Sequence, residues 1–307
     1  MRVLVTGASG FVGGAVASAL ALDGNEVIGT GRRVDGWPGA SLPGASYLAW
    51  DLLGPAPAEL PELDAVVHCA GMVDDWAPLA LSRRQNVGGV RAVRLAFPEA
   101  RLVHVSSSSV YNGGRPCVDA CEDEPLPTRF LSSYSESKAL AEAELSGGDA
   151  IILRPHAVYG PGDTTLLPRL EGAVRRGQLI LPSGARVLHS LTHIDNLIHA
   201  VRCALLPQAP AGVYNVSDAE PVRLDAAIAE FLGRRGVEAR LRSVPMGLAW
   251  GLAAASEASA RLRGKRPGLT RYAVSQVGMQ RTYNLDAARS RLGYSPAPTS
   301  MAGAEDW

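Results

Sequence analysis

Three glycines near the start of the chain constrain its fold more than any other feature. In the stretch Val3-Leu4-Val5-Thr6-Gly7-Ala8-Ser9-Gly10-Phe11-Val12-Gly13, a short apolar run that predicts a buried strand meets an apolar pattern with helical spacing. Gly7 permits the tight turn, Gly10 lets the backbone approach a pyrophosphate, and Gly13 lets the helix lie close to the strand. The positive end of the helix dipole then faces the phosphates. This pattern predicts a dinucleotide site rather than a simple glycine-rich turn. The predicted contacts are Gly7, Ser9, Gly10, Phe11, Val12 and Gly13.

The charge balance and the cysteines exclude several kinds of partner. Lys and Arg total 30, as do Asp and Glu, so the formal net charge is zero and no basic field is available for nucleic acid. The four cysteines lack a C-x-x-C pair, and Cys117 and Cys121 are better explained as free thiols than as half of a metal site. Met1-Arg2 leads directly into the first strand, and no apolar run approaches the roughly 20 residues of a bilayer span. We expect a cytoplasmic protein with no metal, no nucleic-acid partner and no membrane span.

Strand-like runs alternate with helical patterns through the first half of the chain. The predicted strands are 2–6, 26–30, 46–50, 65–69, 102–106 and 150–154, and the predicted helices are 11–22, 78–97 and 133–145. Residues 34–45, rich in Gly and Pro, predict a loop in place of a helix. The alternation predicts right-handed crossovers and a parallel sheet covered on both faces. The expected fold class is α/β, a Rossmann-type doubly wound parallel sheet.

The second half of the chain has a looser pattern. Helices are predicted at 166–176, 224–234 and 245–262, with a short strand at 213–216. We expect residues 1–160 to form a Rossmann domain, with later returns near 187–216, and residues 161–307 to form mainly a smaller, discontinuous C-terminal substrate-binding cap. Such a cap would cover the carboxyl edge of the sheet, where ligands bind in doubly wound folds. Residues 245–255 are apolar on all sides of a helix, which favours burial over a pocket wall or a membrane contact.

The end of the second predicted strand bears on the choice of nucleotide. It reads Ile28-Gly29-Thr30-Gly31-Arg32-Arg33, without the carboxylate that bonds the ribose hydroxyls of NAD. Arg32 and Arg33 suit a 2′-phosphate through charge-assisted bonds, although solvated arginines would also explain them. NADP(H) is therefore predicted, with NAD(H) less favoured. Asp51-Leu52 follows the third strand, where a carboxylate can accept a hydrogen bond from the adenine amine.

A tyrosine and a lysine open the third predicted helix with a spacing that suits acid–base chemistry. Tyr134 and Lys138 are four residues apart and project from one helical face, and Ser133 with Glu136 forms a plausible capping box. A phenol has a reference pKa of about 10. A lysine ammonium one turn away and an oxidised nicotinamide nearby favour the phenolate, which makes the phenol usable near neutral pH.

Four consecutive serines follow a predicted strand upstream of this pair. The run Val105-Ser106-Ser107-Ser108-Ser109 lies at the strand end, and adjacent parallel strands place it at the same sheet edge as Tyr134. A serine hydroxyl there can polarise a substrate oxygen beside the phenol. A flexible loop is the alternative, but the run Leu-Val-His-Val before the serines argues against it.

Taken together and in order, these motifs resemble the extended short-chain dehydrogenase/reductase superfamily. The matching residues are the glycine loop, Asp51-Leu52, His68-Cys69-Ala70-Gly71, Asn86-Val87, Ser107, Tyr134, Lys138 and Leu153-Arg154-Pro155-His156-Ala157-Val158-Tyr159-Gly160-Pro161-Gly162. The resemblance implies that Ser107 donates to the substrate oxygen, that Tyr134 is the general acid/base and that Lys138 bonds the nicotinamide ribose. It implies a catalytic-site position for Asn86. Further cofactor contacts are expected at Cys69, Ala70, Gly71, Ser106, Pro155, His156, Ala157 and Val158, and substrate contacts at Trp76, Ser108 and His156.

The second half resembles the 3β-hydroxysteroid dehydrogenase-like branch through Leu191-Thr192-His193-Ile194-Asp195-Asn196-Leu197, Gly212-Val213-Tyr214-Asn215-Val216-Ser217-Asp218, Pro267-Gly268-Leu269-Thr270 and the segment from Asp286 to Pro296. Members of that branch interconvert ketones and secondary alcohols on apolar substrates. The resemblance implies an NADP(H)-dependent ketoreductase for a steroid-like, polyketide-like or alkyl substrate. The alternatives are a nucleotide-sugar epimerase or dehydratase with tightly bound NAD, and a non-catalytic redox sensor. A homodimer through the helices at 78–97 and 133–145 is expected by analogy with relatives.

Overall fold

The structure is a computed structural model, and it describes residues 1–34 and 36–307. Its strands are β1 Arg2–Thr6, β2 Glu26–Gly31, β3 Ala45–Ala49, β4 Ala65–His68, β5 Arg101–Val105, β6 Cys117–Ala120, β7 Ile151–Pro155, β8 Val158–Tyr159, β9 Gln178–Pro182, β10 Leu188–His189, β11 Thr192–His193, β12 Gly212–Val216, β13 Val222–Arg223, β14 Arg240–Val244 and β15 Arg281–Tyr283. Its helices are α1 Phe11–Leu22, α2 Leu79–Ala96, α3 Ser133–Ala143, α4 Leu166–Ala173, α5 Ile194–Leu205, α6 Leu224–Arg234, α7 Met246–Arg263, α8 Arg271–Gly278 and α9 Asp286–Leu292.

A seven-stranded parallel sheet organises the molecule, in the order β12-β7-β5-β4-β1-β2-β3. Val3 of β1 lies between Val27 of β2 and Ala65 of β4, which sets the register at the centre. All four residues of β4 are buried, because helices cover both faces of the sheet at its centre. The predicted Rossmann-type α/β class is confirmed.

Alternate residues of each strand face opposite layers of helices. On one face, Val3 and Val5 belong to the same buried cluster as Val16 of α1 and Leu197 of α5. On the other face, Leu4 packs in a cluster with helical residues that include Val90 of α2 and Ala141 of α3. Because α1 and α2 each follow the carboxyl end of a strand, their N-termini lie at one edge of the sheet, and that edge receives the site.

The predicted elements of the first half are found with ends that shift by two residues at most. The predicted helix at 166–176 is shorter than expected and ends at Ala173, because the backbone is already extended at Val174, with ψ 125°, before the left-handed Arg176 leads into β9. The predicted loop at 34–45 contains a short 3₁₀ turn, Pro38–Ser41. Asp35, within that loop, lies outside the described residues.

The second half of the chain divides its elements between the sheet and a smaller layer. Residues near 187–216 are expected to rejoin the Rossmann domain, and this segment includes α5, which covers the parallel sheet, and β12, which forms one edge of that sheet. The remaining strands form a mixed sheet in the order β13-β10-β15-β6 and two parallel pairs, β9–β14 and β8–β11, none of which the sequence patterns predicted. Phe231 of α6 and Leu179 of β9 lie in the core of this layer. The boundary at residue 160 stays a prediction.

Helix α7 is not buried on all sides, contrary to the interpretation that its apolar sequence favoured. Ala249, Ala253 and Ala260 are buried, with Ala249 and Ala253 packed against Val274 of α8. Leu248 and Leu252, on another side of the helix, are 54% and 56% exposed. Within the described parts of the chain, no helix has the length and apolar character that crossing a membrane requires.

A buried ion pair fastens α3 to the sheet. Arg154 of β7 donates from Nη2 to Glu142 Oε2 of α3 at 2.7 Å and from Nε to Oε1 at 3.1 Å, and both side chains are about 95% buried. Ser106 Oγ donates to Glu142 Oε1 at 2.5 Å, and Arg154 Nη1 donates to Tyr111 Oη at 3.0 Å. Burial removes water from both charged groups, and these additional hydrogen bonds replace the hydrogen bonds to water that are lost. The pair therefore fixes the helix that carries Tyr134 and Lys138.

Glu142→Ala will test how strongly this pair is needed. The substitution leaves the Arg154 guanidinium buried without its carboxylate, so we expect the free energy of unfolding to fall by about 3–5 kcal/mol in urea denaturation. Glu144→Ala, at the end of the same helix, breaks the exposed pair with Arg91 and should cost less than about 1 kcal/mol. Equal losses in the two variants would contradict a special role for the buried pair.

Candidate active site

The glycine loop has the close backbone approach that its spacing predicts. Gly7 has φ +76°, and a Cβ at this position would lie 2.8 Å from Cα of Ala70, in the loop after β4. A Cβ at Gly13 would lie 2.3 Å from the Gly7 carbonyl oxygen, so α1 packs on the turn itself. These distances exclude any larger residue at Gly7 and Gly13.

The N-terminus of α1 is open to an anion. Gly10 is the N-cap residue, no side chain of the described residues caps the helix, and the first turn has no acidic residue. A Cβ at Gly10 would meet the Gly7 carbonyl oxygen at 3.4 Å and no other atom of the described chain within 4 Å. Phe11 lies beside Gly162, and Val12 packs on the core. The free N–H groups and this open space fit a pyrophosphate.

A tyrosine that the sequence patterns missed joins the glycine loop to the end of β2. Tyr47 Oη of β3 donates to the Arg33 carbonyl at 2.7 Å, and the Ser9 side chain lies beside the same phenol. Burial raises the pKa of Tyr47, whereas Ser9 and the Arg33 charge oppose the rise. Arg32 and Arg33 are exposed beside these hydroxyls. The arrangement presents hydroxyls and guanidinium groups together at the end of β2.

Asp51 and Leu52 occupy the turn after β3. The Asp51 carboxylate accepts a hydrogen bond from the Leu53 N–H at 3.1 Å and is exposed. Leu52 packs on the core between the sheet and α2. The carboxylate therefore lies at the same edge of the sheet as Arg33 and is accessible to a ligand.

The loop after β4 brings three predicted residues together. A Cβ at Gly71 would lie 3.3 Å from both Lys138 Nζ and Asn86 Oδ1. Asn86 accepts from the Met72 N–H at 2.6 Å and donates to the Met72 carbonyl and to Ser137 Oγ. Its amide thus joins this loop to α3. Burial raises the pKa of the Cys69 thiol to about 12, and the nearby Lys138 ammonium opposes this rise.

The residue that caps helix α3 lies one position before the predicted one. Ser132 is the N-cap, and its Oγ accepts from the Ser135 N–H at 3.1 Å. The predicted capping box of Ser133 and Glu136 is wrong, because Glu136 instead accepts from Arg83 of α2 at 2.5 Å. A second ion pair between the same helices joins Arg91 to Glu144. The dimer predicted for the outer surfaces of α2 and α3 stays a prediction.

Ser107, Tyr134 and Lys138 converge at the carboxyl edge of the sheet. The side chains of Ser107 and Ser109 lie beside the Tyr134 phenol and oppose the rise that burial causes in its pKa. Lys138 Nζ donates to the Val105 carbonyl at 2.9 Å, and burial lowers the pKa of Lys138 to about 8. The phenol therefore lies next to two serine side chains, and the ammonium is held at the end of β5.

Two of the four serines point away from Tyr134. Ser106 donates to buried Glu142, so its side chain lies between β5 and α3. Ser108 Oγ lies 2.8 Å from His156 Nδ1, His156 Nε2 lies 3.3 Å from His189 Nδ1, and His189 Nε2 lies 3.1 Å from the Met279 carbonyl. Because a carbonyl can accept but not donate, this chain orients the Ser108 hydroxyl as the donor to His156. Ser108 and His156 thus use their side chains in a buried network.

The segment after β7 is held in an unusual backbone conformation. The His156 N–H donates to Thr192 Oγ1 at 3.1 Å, and Val158 pairs with Thr192 in a two-stranded ladder. Between them Ala157 has φ +46°, a region that L-residues rarely adopt. Pro155 ends β7 beside Val216 of β12. These hydrogen bonds keep the Pro155–Val158 backbone at the same sheet edge as Ser107.

Two tyrosines from the second half lie close to the site, Tyr272 near Tyr134 and Tyr283 near Ser108. Burial raises the pKa of Tyr272 of α8, and Tyr134 and Asp75 raise it further. Tyr283 of β15 stacks on Tyr111 with ring centroids 5.4 Å apart, and the nearby Ser108 hydroxyl opposes the rise that burial causes in the pKa of Tyr283. Neither tyrosine stands in a motif with Tyr134, and both lie more than 130 residues beyond it, so sequence spacing had no signal for them.

Trp76 lies at the opening between the loop after β4 and α7. The Arg261 guanidinium sits 5.0 Å from its ring centroid, and Asp74 forms a bidentate pair with Arg266. Thr270 Oγ1 donates to Asp75 Oδ2 at 2.8 Å across the same gap. A groove of about 380 Å³ runs between these elements. The structure places Trp76 in this groove, and its contact with substrate stays a prediction.

The chain resembles known proteins over most of its length. The profile of the NAD dependent epimerase/dehydratase family matches residues 3–217, which include the glycine loop, Ser107, Tyr134 and Lys138. The chain belongs to this family. The resemblance to the extended short-chain dehydrogenase/reductase superfamily is thereby confirmed.

Individual relatives match nearly the whole chain. It is 31% identical to the 4-hydroxy-2-methyl-3-oxo-4-farnesyl-3,4-dihydroquinoline-1-oxide ketoreductase of Stigmatella aurantiaca, over 99% of this chain and 94% of the relative. It is 30% identical to the 3 beta-hydroxysteroid dehydrogenase/Delta 5→4-isomerase of Mycobacterium tuberculosis, over 98% and 87%. The crystal structure of gox2253 covers 99% of this chain and 96% of its own, with a TM-score of 0.79 and 24% identity. This member of the epimerase/dehydratase family is an NAD(P)-dependent enzyme that acts on CH–OH or C=O groups.

Four buried histidines surround the site of this family member. His68 stacks on His104 beneath Lys138, and His156 lies against His189. Burial lowers the pKa of each from the ordinary value of 6.5, to about 3 for His68 and about 4 for His189. Neither ring nitrogen of His104 has a hydrogen-bond partner among residues 1–34 and 36–307. All four rings are therefore neutral in the folded protein at neutral pH.

These histidines predict a loss of stability in acid. Below pH 6.5 the unfolded chain binds protons that the folded protein excludes, so the free energy of unfolding falls as the pH drops from 6.5 towards 4. Each histidine contributes up to about 1.4 kcal/mol per pH unit. His104→Leu removes one such group without breaking a hydrogen bond to another described residue. Urea denaturation at several pH values in this range should then show that the free energy of unfolding falls less steeply with pH, by up to about 1.4 kcal/mol per pH unit. An unchanged slope would contradict the assignment.

Proposed function

We propose that this protein is an NADP(H)-dependent ketoreductase that interconverts a ketone and a secondary alcohol on an apolar substrate. The observation that carries the proposal is the convergence of Ser107, Tyr134 and Lys138 at the carboxyl edge of the sheet, beside an uncapped helix N-terminus. A phenol beside a serine hydroxyl, with an ammonium one helical turn away, is an arrangement suited to proton transfer to a carbonyl oxygen.

The dinucleotide would lie along the carboxyl edge of the sheet. The open space above Gly10 and the free N–H groups of α1 fit its pyrophosphate, and Ser9, Tyr47, Arg32 and Arg33 would surround a 2′-phosphate. Asp51 and Leu52 would contact the adenine, while the Cys69–Gly71 loop and the Pro155–Val158 backbone would line the nicotinamide end. When bound, the cofactor supplies the hydride for reduction.

Within the chain, Tyr134 is the proton donor for reduction. Ser107 donates a hydrogen bond to the ketone oxygen and stabilises the negative charge that develops there, and the Tyr134 phenol then delivers its proton to that oxygen. Because burial raises the pKa of Tyr134, the phenol stays protonated at neutral pH, which favours the reducing direction. Lys138, whose Nζ is tied to the Val105 carbonyl, supplies the positive charge that stabilises the phenolate left behind.

The proposal of an apolar substrate rests on the relatives and on the ring surface beside Tyr134. The Stigmatella relative is named for a farnesyl quinoline ketone and the mycobacterial relative for a steroid. Here Tyr272 approaches Tyr134 from the cap, and its ring offers a large apolar contact area to a substrate. Nucleotide-sugar epimerisation stays the alternative, and isomerisation of a sugar nucleotide by the purified protein would favour it.

Tyr134→Phe tests the proposed acid. The variant keeps the ring but loses the proton, so we expect the kcat for a model ketone to fall by about 10²–10⁴-fold while NADPH affinity, measured by fluorescence titration, stays the same. Tyr272→Phe is the matched control, because its phenol lies near Tyr134 and is not assigned to proton transfer. A larger loss in Tyr272→Phe than in Tyr134→Phe would overturn the assignment.

Arg32→Ala and Arg33→Ala test the choice of cofactor. Each removes a charge-assisted contact to the 2′-phosphate, so we expect NADPH affinity to fall by about 10- to 100-fold. NADH lacks that phosphate and serves as the internal control, with affinity that should not change. If the unaltered protein prefers NADH, or retains NAD that cannot be removed, the proposed role of the arginines is wrong.

A further inference from the structure

Helix α7 presents an apolar face without a partner in the chain described here. Leu248, Leu252, Ala255, Ser259 and Leu262 recur at intervals of three and four residues, so they share one face. Leu262, in the last turn, is 90% exposed, and Leu248 and Leu252 are each more than half exposed. Contiguous exposed apolar residues on one helix face are typical of a surface that binds something.

The end of this helix is strongly basic. Residues 258–285 contain six Lys and Arg and no Asp or Glu. Arg266 pairs with Asp74, and Arg261 and Arg271 pair with Glu257. Arg263 and Lys265 are exposed, and neither forms an ion pair with a residue that the structure describes. The apolar face therefore ends in two unneutralised positive charges, although the protein as a whole has no net charge.

This basic end borders the opening of the candidate active site. Arg261, Gly264, Lys265 and Arg266 line the same groove as Met72 and Trp76. Thr270, a few residues later, hydrogen-bonds to Asp75, and Tyr272 approaches Tyr134. Exposed apolar side chains continue around this rim at Val73, Leu81 and Leu269. Whatever binds the α7 face thus lies at the mouth of the groove.

We propose that α7 docks the protein on the surface of a lipid bilayer that contains anionic headgroups. The docking face is defined as Leu248, Leu252 and Leu262 with Arg263 and Lys265. The leucines enter the boundary between headgroups and acyl chains, and the two charges pair with lipid phosphates. Docking there opens the groove towards the membrane, where an apolar substrate is concentrated. The docking itself does not depend on the proposed reaction.

The charges favour a bilayer over a second copy of this chain. A two-fold contact through the docking face would place Arg263 and Lys265 of one copy near the same residues of the other, and the sequence around them supplies no acidic residue to neutralise them. An anionic surface complements the charges and also accepts the leucines.

Sedimentation with vesicles tests the docking face. We expect the purified full-length protein to partition onto vesicles of phosphatidylcholine with one-third phosphatidylglycerol at least about tenfold more strongly than onto phosphatidylcholine alone, and less strongly as salt is raised. Leu262→Ser with Arg263→Glu should lower that partitioning by about tenfold or more. Turnover of a water-soluble ketone without vesicles should not change, because neither residue belongs to the active site.

A matched double variant controls for composition and charge. Leu95→Ser with Arg94→Glu makes the same changes in the last turn of α2, where Leu95 is 82% exposed, and should bind vesicles like the unaltered protein. The proposal is overturned if the unaltered protein shows no preference for the anionic vesicles, or if both double variants lose binding equally. It is also overturned if light scattering shows a dimer that Leu262→Ser with Arg263→Glu dissociates. Absence of ketone turnover would refute the proposed function and leave the vesicle result intact.

Discussion

Parallel pairing of the seven strands is the constraint on which the site depends. Because every strand of the sheet runs in the same direction, all their carboxyl ends meet at one edge. The glycine loop after β1, the Cys69–Gly71 loop after β4, the serines after β5 and the Pro155–Val158 segment after β7 are therefore neighbours, although they span more than 150 residues of sequence. An antiparallel order would divide them between two edges and leave no common site.

Burial of polar groups beside this edge supplies the rigidity that the chemistry needs. The Glu142–Arg154 pair lies one helical turn beyond Lys138, so the helix carrying the proposed acid and its ammonium is fastened to β7. Lys138 itself is buried and bonded to the Val105 carbonyl, which costs solvation but gives the charge one position. The chain from Ser108 through His156 and His189 is likewise closed and ends on a backbone carbonyl. Each network is satisfied through partners on separate elements, so α3 is held to β5 and β7, and the end of β7 is held to β10.

The cap layer has two roles that meet at α7 and α8. Its inner side brings Tyr272 to Tyr134 and Tyr283 to Ser108, and its outer side exposes leucines and basic groups beside the groove. The contacts of Asp74 with Arg266 and of Asp75 with Thr270 join the two layers at this point. A substrate that is too apolar to dissolve well in water would reach the carboxyl edge of the parallel sheet through the groove beside α7, which is also the region best suited to contact a lipid surface.

The sequence by itself determined the features that depend on neighbours along the chain. The strand–glycine–helix corner at Gly7 to Gly13, the four-residue spacing of Tyr134 and Lys138, and the alternation that specifies a parallel sheet are local patterns, and they follow from backbone sterics and helical geometry. The family resemblance added Ser107 and Asn86 at positions that the structure brings to the same edge. Helix and strand ends were predictable to within about two residues for most of the first half, because buried apolar runs set them.

Tertiary structure decided everything that depends on partners far apart in sequence. Ser132 rather than Ser133 caps α3, because Glu136 is drawn to Arg83 of another helix. Ser108 and His156 enter a buried network because His189 and the Met279 carbonyl lie across from them. The roles of Tyr47, Tyr272 and Tyr283 depend on strands and helices that meet only in the folded chain. The same reason explains α7: its sequence is apolar all round, and which face is covered depends on where α8 packs.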